Sequence, residues 1–598
     1  MESRQHTYGS GIPEIGVAVH RGAGRLVAET LPATVSGCGS EPDQVAAGKP
    51  VDQAEHVAQD RTDRRARAAV EVAYAQPERA LSGGLAGARL EHGEACDHDR
   101  GGGEEAHLAE GGRERNDDER GRNEVDQTRQ HAGAQRRGGG EGVCHSPRQA
   151  IGMLWEREQP TPIEPPPLPR RGGAAVIRHD VIVVGAGVAG LRAALAANAA
   201  GVDVAVVSKM HPVRSASHAA SGGILADEDV ALTTRRVLDA GCGLADAASV
   251  DRVVREAPQA MRELERAGAV RAGALVGHRL LQTLHGLAGR AGITFYEDLH
   301  LLDLVAEGGR CLGIVCWDLV HGRATGLSAQ ATVIATGGMG RAFAATSNPR
   351  AATGDGTAAA WRAGIAIRDM EFVQFVEAGA HIQLGGIDVD ADGRSTLLGL
   401  YAAGEAACAG AHGAGIVDGA ALAEAIVLGG AAGTHAAGTV VDDPGDDVVP
   451  EFTVRAAERR VLEQLGTGSG ERPSVLAREL RSVMSTDAGA VRSEVGLARA
   501  LERVQALRER ARSPRIDDRS RRCNTALVAS FELQSLLALS ECVVVGALAR
   551  DESRGVHVRS DHAARDDARF ARHTLSWFDA EQVRLDYSAL VGAPVGAR

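Results

Sequence analysis

One stretch constrains the fold more than any other. Asp180-Val-Ile-Val-Val184 is a short apolar run, Gly185-Ala-Gly-Val-Ala-Gly190 follows at once, and an Ala/Leu-rich segment continues to Ala200. A second apolar run, Val202-Asp-Val-Ala-Val-Val207, comes next. Strand, glycine turn, helix and strand form a βαβ unit, and such a unit belongs to an α/β fold with a doubly wound parallel sheet. In that setting Gly185, Gly187 and Gly190 have a physical task. They allow a tight turn, bring the backbone close to a pyrophosphate and aim a helix N-terminus at its charge. The pattern implies a dinucleotide without separating FAD from NAD. Where the second strand ends, Ser208 and Lys209 replace the usual ribose carboxylate.

Beyond this unit, Gly292–Tyr296, Leu301–Ala306, Cys311–Asp318 and Ala331–Ala335 read as short strands, a small sheet insertion in the Rossmann-like domain. From Val454 the pattern turns helical. Leu497, Leu501, Val504 and Leu507 recur at helical spacing, and Thr525–Arg550 forms a second, more buried helical run. Asp551–Tyr587 is polar and mixed and is expected to wrap over what precedes it. The expected organisation is an N-terminal extension over 1–176, a dinucleotide domain over 177–440, a helical domain over 450–550 and a C-terminal segment over 551–598.

Several function classes are disfavoured. The first 170 or so residues hold only Tyr8, Tyr74 and Trp155 as aromatics, so they are expected to be disordered or a non-native extension, with a true start near Met153, Val176 or Ile177. A net charge of −13 argues against nucleic-acid binding. The nine cysteines show no CxxC pair and no Cys/His zinc spacing, so no metal is expected and a reducing compartment fits. The longest apolar candidate, Leu527–Leu548, carries Glu532, Gln534 and Glu541, so no direct membrane insertion is expected.

A collinear series of motifs carries a resemblance. Ser208-Lys-Met-His-Pro-Val-Arg-Ser215 with Ala219-Ala-Ser-Gly-Gly-Ile224 opens it. Ala335-Thr-Gly-Gly338, Thr353-Gly-Asp-Gly356, Asp369-Met-Glu-Phe-Val-Gln-Phe375, Ala402-Ala-Gly-Glu405 and Glu552-Ser-Arg-Gly-Val-His557 continue it. Over roughly 400 residues the chain resembles the flavoprotein subunit of the succinate dehydrogenase and fumarate reductase family, and is also similar to L-aspartate oxidase. The resemblance implies FAD, a dicarboxylate substrate, an iron–sulfur subunit as electron partner and a membrane-anchor subunit behind it. It also implies a cytoplasmic protein, peripheral on the inner membrane face through those partners. It gives cofactor contacts to Ser208, Lys209, Ser215, Gly222, Gly223, Gly337, Gly338, Asp355 and Leu422, and matches Glu405 to an acid that holds the adenosine ribose.

The departures bear on chemistry. The family's flavin-linking histidine falls at Ala216, so noncovalent FAD is expected, with His218 facing elsewhere. A capping domain of the family, which supplies a catalytic arginine, is reduced to Val376-Glu-Ala-Gly-Ala380, and a second cut follows Gly268. A substrate arginine falls at Ile416. His381 matches a family substrate histidine and stands at even odds between a catalytic and a structural role. Arg554 and His557 read as a C-terminal network with Asp561 or Asp567. Three readings result: succinate/fumarate interconversion, an L-aspartate oxidase-like enzyme, or an FAD-binding accessory subunit without dicarboxylate turnover.

Overall fold

A computed structural model describes residues 176–442, 448–467, 469–579 and 582–589, so the expectations for the segment before Val176 lie outside the described residues. Strand β1 (Val176–Val184) ends in four buried apolar residues, and helix α1 (Val188–Ala199) returns the chain to β2 (Val204–Val207), also buried throughout. Strands buried on both faces read as apolar runs, not alternating ones, which is why this unit is plain in the sequence. Helices α2 (Val230–Ala240), α3 (Ala247–Arg266) and α4 (Val276–Arg290) lead to β3 (Thr294–Tyr296), β4 (Leu299–Glu307), β5 (Arg310–Asp318) and β6 (Arg323–Ile334). Then come α5 (Asp355–Arg362), β7 (Ile367–Arg368), β8 (Val373–Val376), β9 (Gly379–Gln383), β10 (Gly386–Asp388), β11 (Leu400–Ala402), β12 (Ala407–Cys408) and α6 (Ala420–Gly438).

The main sheet runs β3-β2-β1-β6, all parallel, and β6 then changes neighbour along its length. Its first half pairs antiparallel with β5, which carries β4, and its last three residues pair in parallel with β11. The inserted sheet layer is thus a meander continuous with the doubly wound sheet. Strand β6 begins eight residues before the expected Ala331 because Thr325, Ser328 and Gln330 interrupt the apolar pattern yet are buried. Another segment lying across the strand satisfies two of them: Ser328 Oγ accepts from Val449 N at 2.8 Å, and Gln330 exchanges bonds of 2.9 and 3.0 Å with the Val441 backbone.

Helices α7 (Glu451–Thr467), α8 (Pro473–Asp487), α9 (Glu494–Arg510) and α10 (Thr525–Ala549) follow, with β13 (Val491–Arg492) between α8 and α9. Helix α7 covers the meander through Val454 and Val461 against Val315 and Trp317. Helices α8 to α10 share one apolar core with the main sheet, joining Leu480, Val504 and Leu536 to Val183 and Val333. Next come β14 (Val558–Arg559), which pairs with β13, α11 (Asp567–Phe570), β15 (Arg572–Asp579) and β16 (Gln582–Ala589). The C-terminal segment does more than wrap. Strand β15 pairs with β7, and the hairpin completes a five-stranded sheet, β12-β10-β7-β15-β16.

Two expectations need correction. Helices α6 and α10 are both long and apolar enough to cross a membrane, and the sequence reading passed over α6; both are largely buried within the protein, which accounts for their composition. In the C-terminal network Arg554 pairs with Glu552 and Asp567 and also donates to the Cys242 carbonyl at 2.7 Å, but His557 contacts neither aspartate. It sits against Arg492 at 2.9 Å and the Arg550 carbonyl at 3.2 Å. Burial is the leading cause holding its pKa well below the ordinary histidine value, and Arg492 adds to it.

Candidate functional site

The C-terminal ends of β1, β2, β6 and β11 open onto a cavity of about 430 Å³. Open α/β sheets bind ligands in this position. Gly185, Gly187, Ser208, Lys209, Ser215, Gly223, Gly337, Gly338, Asp355, His381, Glu405 and Leu422 all line it. Gly190 and Gly222 do not. A Cβ on Gly190 would stand 1.9 Å from the Gly185 carbonyl oxygen, so this glycine serves close strand–helix packing, and Gly222 is exposed.

The turn after β1 is shaped for an anion. A Cβ on Gly185, at φ +113°, would strike the Ala335 carbonyl at 2.2 Å. Gly187 caps α1 without any side-chain bond, which leaves backbone N–H groups of the first turn to a ligand. Only Val188 N is engaged, by Ser217 Oγ at 3.3 Å. Beside it the buried Ser215 Oγ has no partner, and a Cβ on Gly187 would point toward Ser215 and Ser217. An orphaned hydroxyl, an uncapped helix and a glycine without which the space would be filled are what a pyrophosphate needs.

At the end of β2, Lys209 and Asp355 do not face the cavity as free charges. Lys209 Nζ donates to Asp355 Oδ2 at 2.7 Å, Thr353 Oγ1 at 2.7 Å and Glu532 Oε1 at 2.9 Å. Burial opposes the ammonium charge, but the two carboxylates outweigh it and hold the lysine pKa above its ordinary value. Burial likewise opposes ionisation of Asp355, and Lys209 and His300 reverse the effect. Glu532 comes from α10, where it had been counted only as an interruption of an apolar run. No local signal would have paired it with a lysine 323 positions away.

At the other end, Glu405 follows β11 in a short 3₁₀ turn and accepts from Gln383 N at 2.9 Å. A Cβ on Gly338 would overlap its Oε1 at 2.3 Å, so glycine is required there. Burial raises the Glu405 carboxyl to about 7. Because β11 lies across β1 from β2, Glu405 stands on the side of the turn away from Ser208 and Lys209.

His381 on β9 is exposed at the cavity rim. Ser347 Oγ lies 2.6 Å from its Nδ1, and Asn348 Nδ2 donates to its carbonyl at 2.5 Å. Burial lowers its pKa, with Asp418 opposing. Strands β8 and β9 are joined by a two-residue turn, Glu377-Ala378, and Ala380 N donates to the Ala345 carbonyl at 3.0 Å. Among the described residues no arginine lines the cavity; Arg214 and Arg341 are outside it. Ile416 packs with Leu244, Phe372, Leu384 and Ala414. Missed from sequence was a buried pair in the cavity wall, His412 Nε2 and Glu424 Oε2 at 2.9 Å.

Ala216 lines the cavity in a 3₁₀ turn, Ala216–Ala219, while His218 does not; its ring meets His278 of α4.

Comparison with known proteins gives the following. The family described as FAD binding domain matches residues 180–276, 269–376 and 375–422, and that described as Fumarate reductase flavoprotein C-term matches 477–596. A fumarate reductase flavoprotein subunit of Mycobacterium tuberculosis H37Rv is 29% identical over 551 aligned positions, which take in 67% of this chain and 94% of that one. An L-aspartate oxidase of Streptomyces coelicolor is 28% identical over 67% of this chain and 91% of its own. Among solved structures, a point variant of E. coli quinol fumarate reductase FrdA superposes with a TM-score of 0.66 at 25% identity, covering 70% of this chain and 98% of that one.

Proposed function

Since the chain belongs to the family of FAD-dependent oxidoreductases formed by the succinate dehydrogenase and fumarate reductase flavoproteins, we propose that it holds FAD without a covalent bond, passes electrons to a partner protein, and has lost efficient turnover of succinate and fumarate. The observation that carries this is a cavity wall without arginine among the described residues.

FAD, when bound, supplies two-electron redox chemistry. The chain's own residues do the rest. Gly185, Gly187, Ser215 and the α1 N-terminus take the pyrophosphate. Ser208, whose hydroxyl donates to the Met210 carbonyl at 2.6 Å, takes the adenosine side beside the Lys209–Asp355–Glu532 network. Glu405, matched from sequence to the adenosine ribose, is reassigned to the ribityl side, because the first βαβ half of a doubly wound fold receives the adenosine and β11 lies across the turn from it. Ala216 offers no imidazole for a covalent link, and the His218 ring is turned to α4.

A dicarboxylate would bring two negative charges into this cavity. Buried anions need cationic partners. The available groups are His211, His381, His412 and the internally paired Lys209, against Glu405, Glu424 and Asp355. The chain passes from β8 to β9 in a two-residue turn, and about 400 of its residues are set against 551 aligned positions of the M. tuberculosis relative, so that relative carries segments this sequence lacks. The same deficit weighs against an L-aspartate oxidase activity. A partner is supported by the relatives' description as flavoprotein subunits; we take it to be an iron–sulfur subunit, which would place this chain peripherally on the cytoplasmic membrane face.

The test is anaerobic. The purified chain should show a flavin spectrum, lose all flavin to the supernatant on acid precipitation, and remain unbleached by succinate. Flavin that stays with the precipitate, or rapid bleaching, would overturn the corresponding part.

A further inference from the structure

We propose that His218 and His278 together form a two-imidazole site for a borderline divalent transition ion such as zinc, clipping the 3₁₀ turn beside the cavity to helix α4. The two Nδ1 atoms stand 3.2 Å apart, with ring planes at 87° and ring centroids 4.8 Å apart. Two nitrogens on one tetrahedral zinc, each about 2.0–2.1 Å from it, are themselves about 3.3–3.4 Å apart. The observed spacing is thus close to that of two ligands converging on one ion. Imidazole nitrogen is a preferred donor for zinc, copper and nickel.

The two ligands are held on separate elements that the backbone has already locked together. Gly277 N donates to the Ala220 carbonyl at 3.0 Å, and His218 N donates to the Ser215 carbonyl at 3.1 Å. A Cβ at Gly277 would come 2.0 Å from the Ser217 carbonyl oxygen, so glycine beside His278 lets α4 approach the turn this closely. Preorganised ligands lose little freedom on binding. Among the described residues neither ring makes another hydrogen bond, so metal ligation displaces only the contact between them. His218 is exposed and His278 half-buried, which leaves an entry path and room for water to complete the coordination sphere.

The neighbouring pair, His211 and His285, has ring centroids 5.8 Å apart with no nitrogen contact, and serves as an internal control. The site lies outside the cavity but on the turn that carries Ala216 and Ser217 into it. An ion there would restrain the wall next to the pyrophosphate cradle. The assignment rests on chain geometry alone and does not depend on the redox reading.

Calorimetric titration of the flavin-loaded, tag-free full chain with zinc chloride tests it. The expected result is one ion per chain at micromolar concentration. His278→Ala and His218→Ala should each weaken binding by about 100-fold or more, since even outer-shell changes cost 10- to 100-fold. His285→Ala should leave it unchanged. A cobalt titration, read by its visible absorption, should give a four-coordinate spectrum that the His278→Ala protein lacks. If wild type shows no saturable binding below millimolar zinc, or if the double His218/His278 variant retains it, the site does not exist.

Discussion

The two ends of the cavity are built to different standards. At the pyrophosphate and adenosine end, glycines, an uncapped helix and a fully paired Lys209–Asp355–Glu532 network leave few groups unsatisfied apart from those facing where a phosphate would lie. At the His381 end the histidine is exposed, β8 and β9 are joined by a two-residue turn, and Ile416 packs in an apolar cluster. Different elements carry the two ends: β1, α1 and β2 the first, β8, β9 and the Ile416 segment the second.

Fumarate reduction by a reduced dye measures the contrast most directly. It should run at least about a thousandfold slower than in intact relatives, since one positioned acid–base alone is worth about 100- to 10,000-fold. Turnover comparable to those relatives would erase the distinction between the two ends. Next in size, Gly187→Leu places a side chain in the pyrophosphate cradle and should leave the purified protein with less than about a tenth of its flavin, as read by absorbance. Full loading would mean the cofactor lies elsewhere.

Glu405→Ala should weaken FAD by about 1.5–3 kcal/mol, or about 10- to 150-fold, when charged hydrogen bonds are lost. An unchanged dissociation constant in fluorescence titration would remove Glu405 from the cofactor site. The same residue makes a pH prediction for the apoprotein. Its carboxyl is raised by burial from 4.5 to about 7, so between these values the folded state holds more protons than the unfolded one. This contribution to stability is present below the unfolded pKa and is lost as pH rises through the folded one. The melting temperature of wild type relative to Glu405→Gln should therefore fall by a few degrees from about pH 5 to about pH 8. Parallel profiles would show that Glu405 ionises normally. Ile416→Arg should produce the smallest effect: tighter succinate binding but little gain in turnover, because the proton donor is still missing. Near-normal turnover in that variant would locate the whole deficit at one residue.

Legibility from sequence followed the same division. The βαβ unit was plain because Val181–Val184 and Val204–Val207 are buried on both faces, and the glycine spacing reports backbone geometry directly. Residues that act through side chains from distant elements were harder to place. Glu532 read as a flaw in an apolar helix, and the motif match at Glu405 carries no sheet order, so it could not show that β11 lies on the far side of β1 from β2. Strand β6 was cut short since Ser328 and Gln330 look solvent-facing until the segment covering them is known. Gly190 and Gly222 matched motifs as well as Gly187 does, yet spacing cannot distinguish a glycine that meets a ligand from one that meets a strand or solvent.

The position of β15 has a consequence for how the molecule is made. It is an interior strand of its sheet, paired on one side with β7, whose residues lie about 200 positions earlier, as in Leu575 opposite Arg368. During synthesis β7, already paired on its other side with β10, must wait with one edge unpaired until β15 has left the ribosome. Pairings of such long sequence separation form late. For that interval the nascent chain exposes a short edge available to other strands. Assembly of this protein is thus a race between completing translation and mispairing, and slowing elongation between α6 and β15 should lengthen its exposure to aggregation.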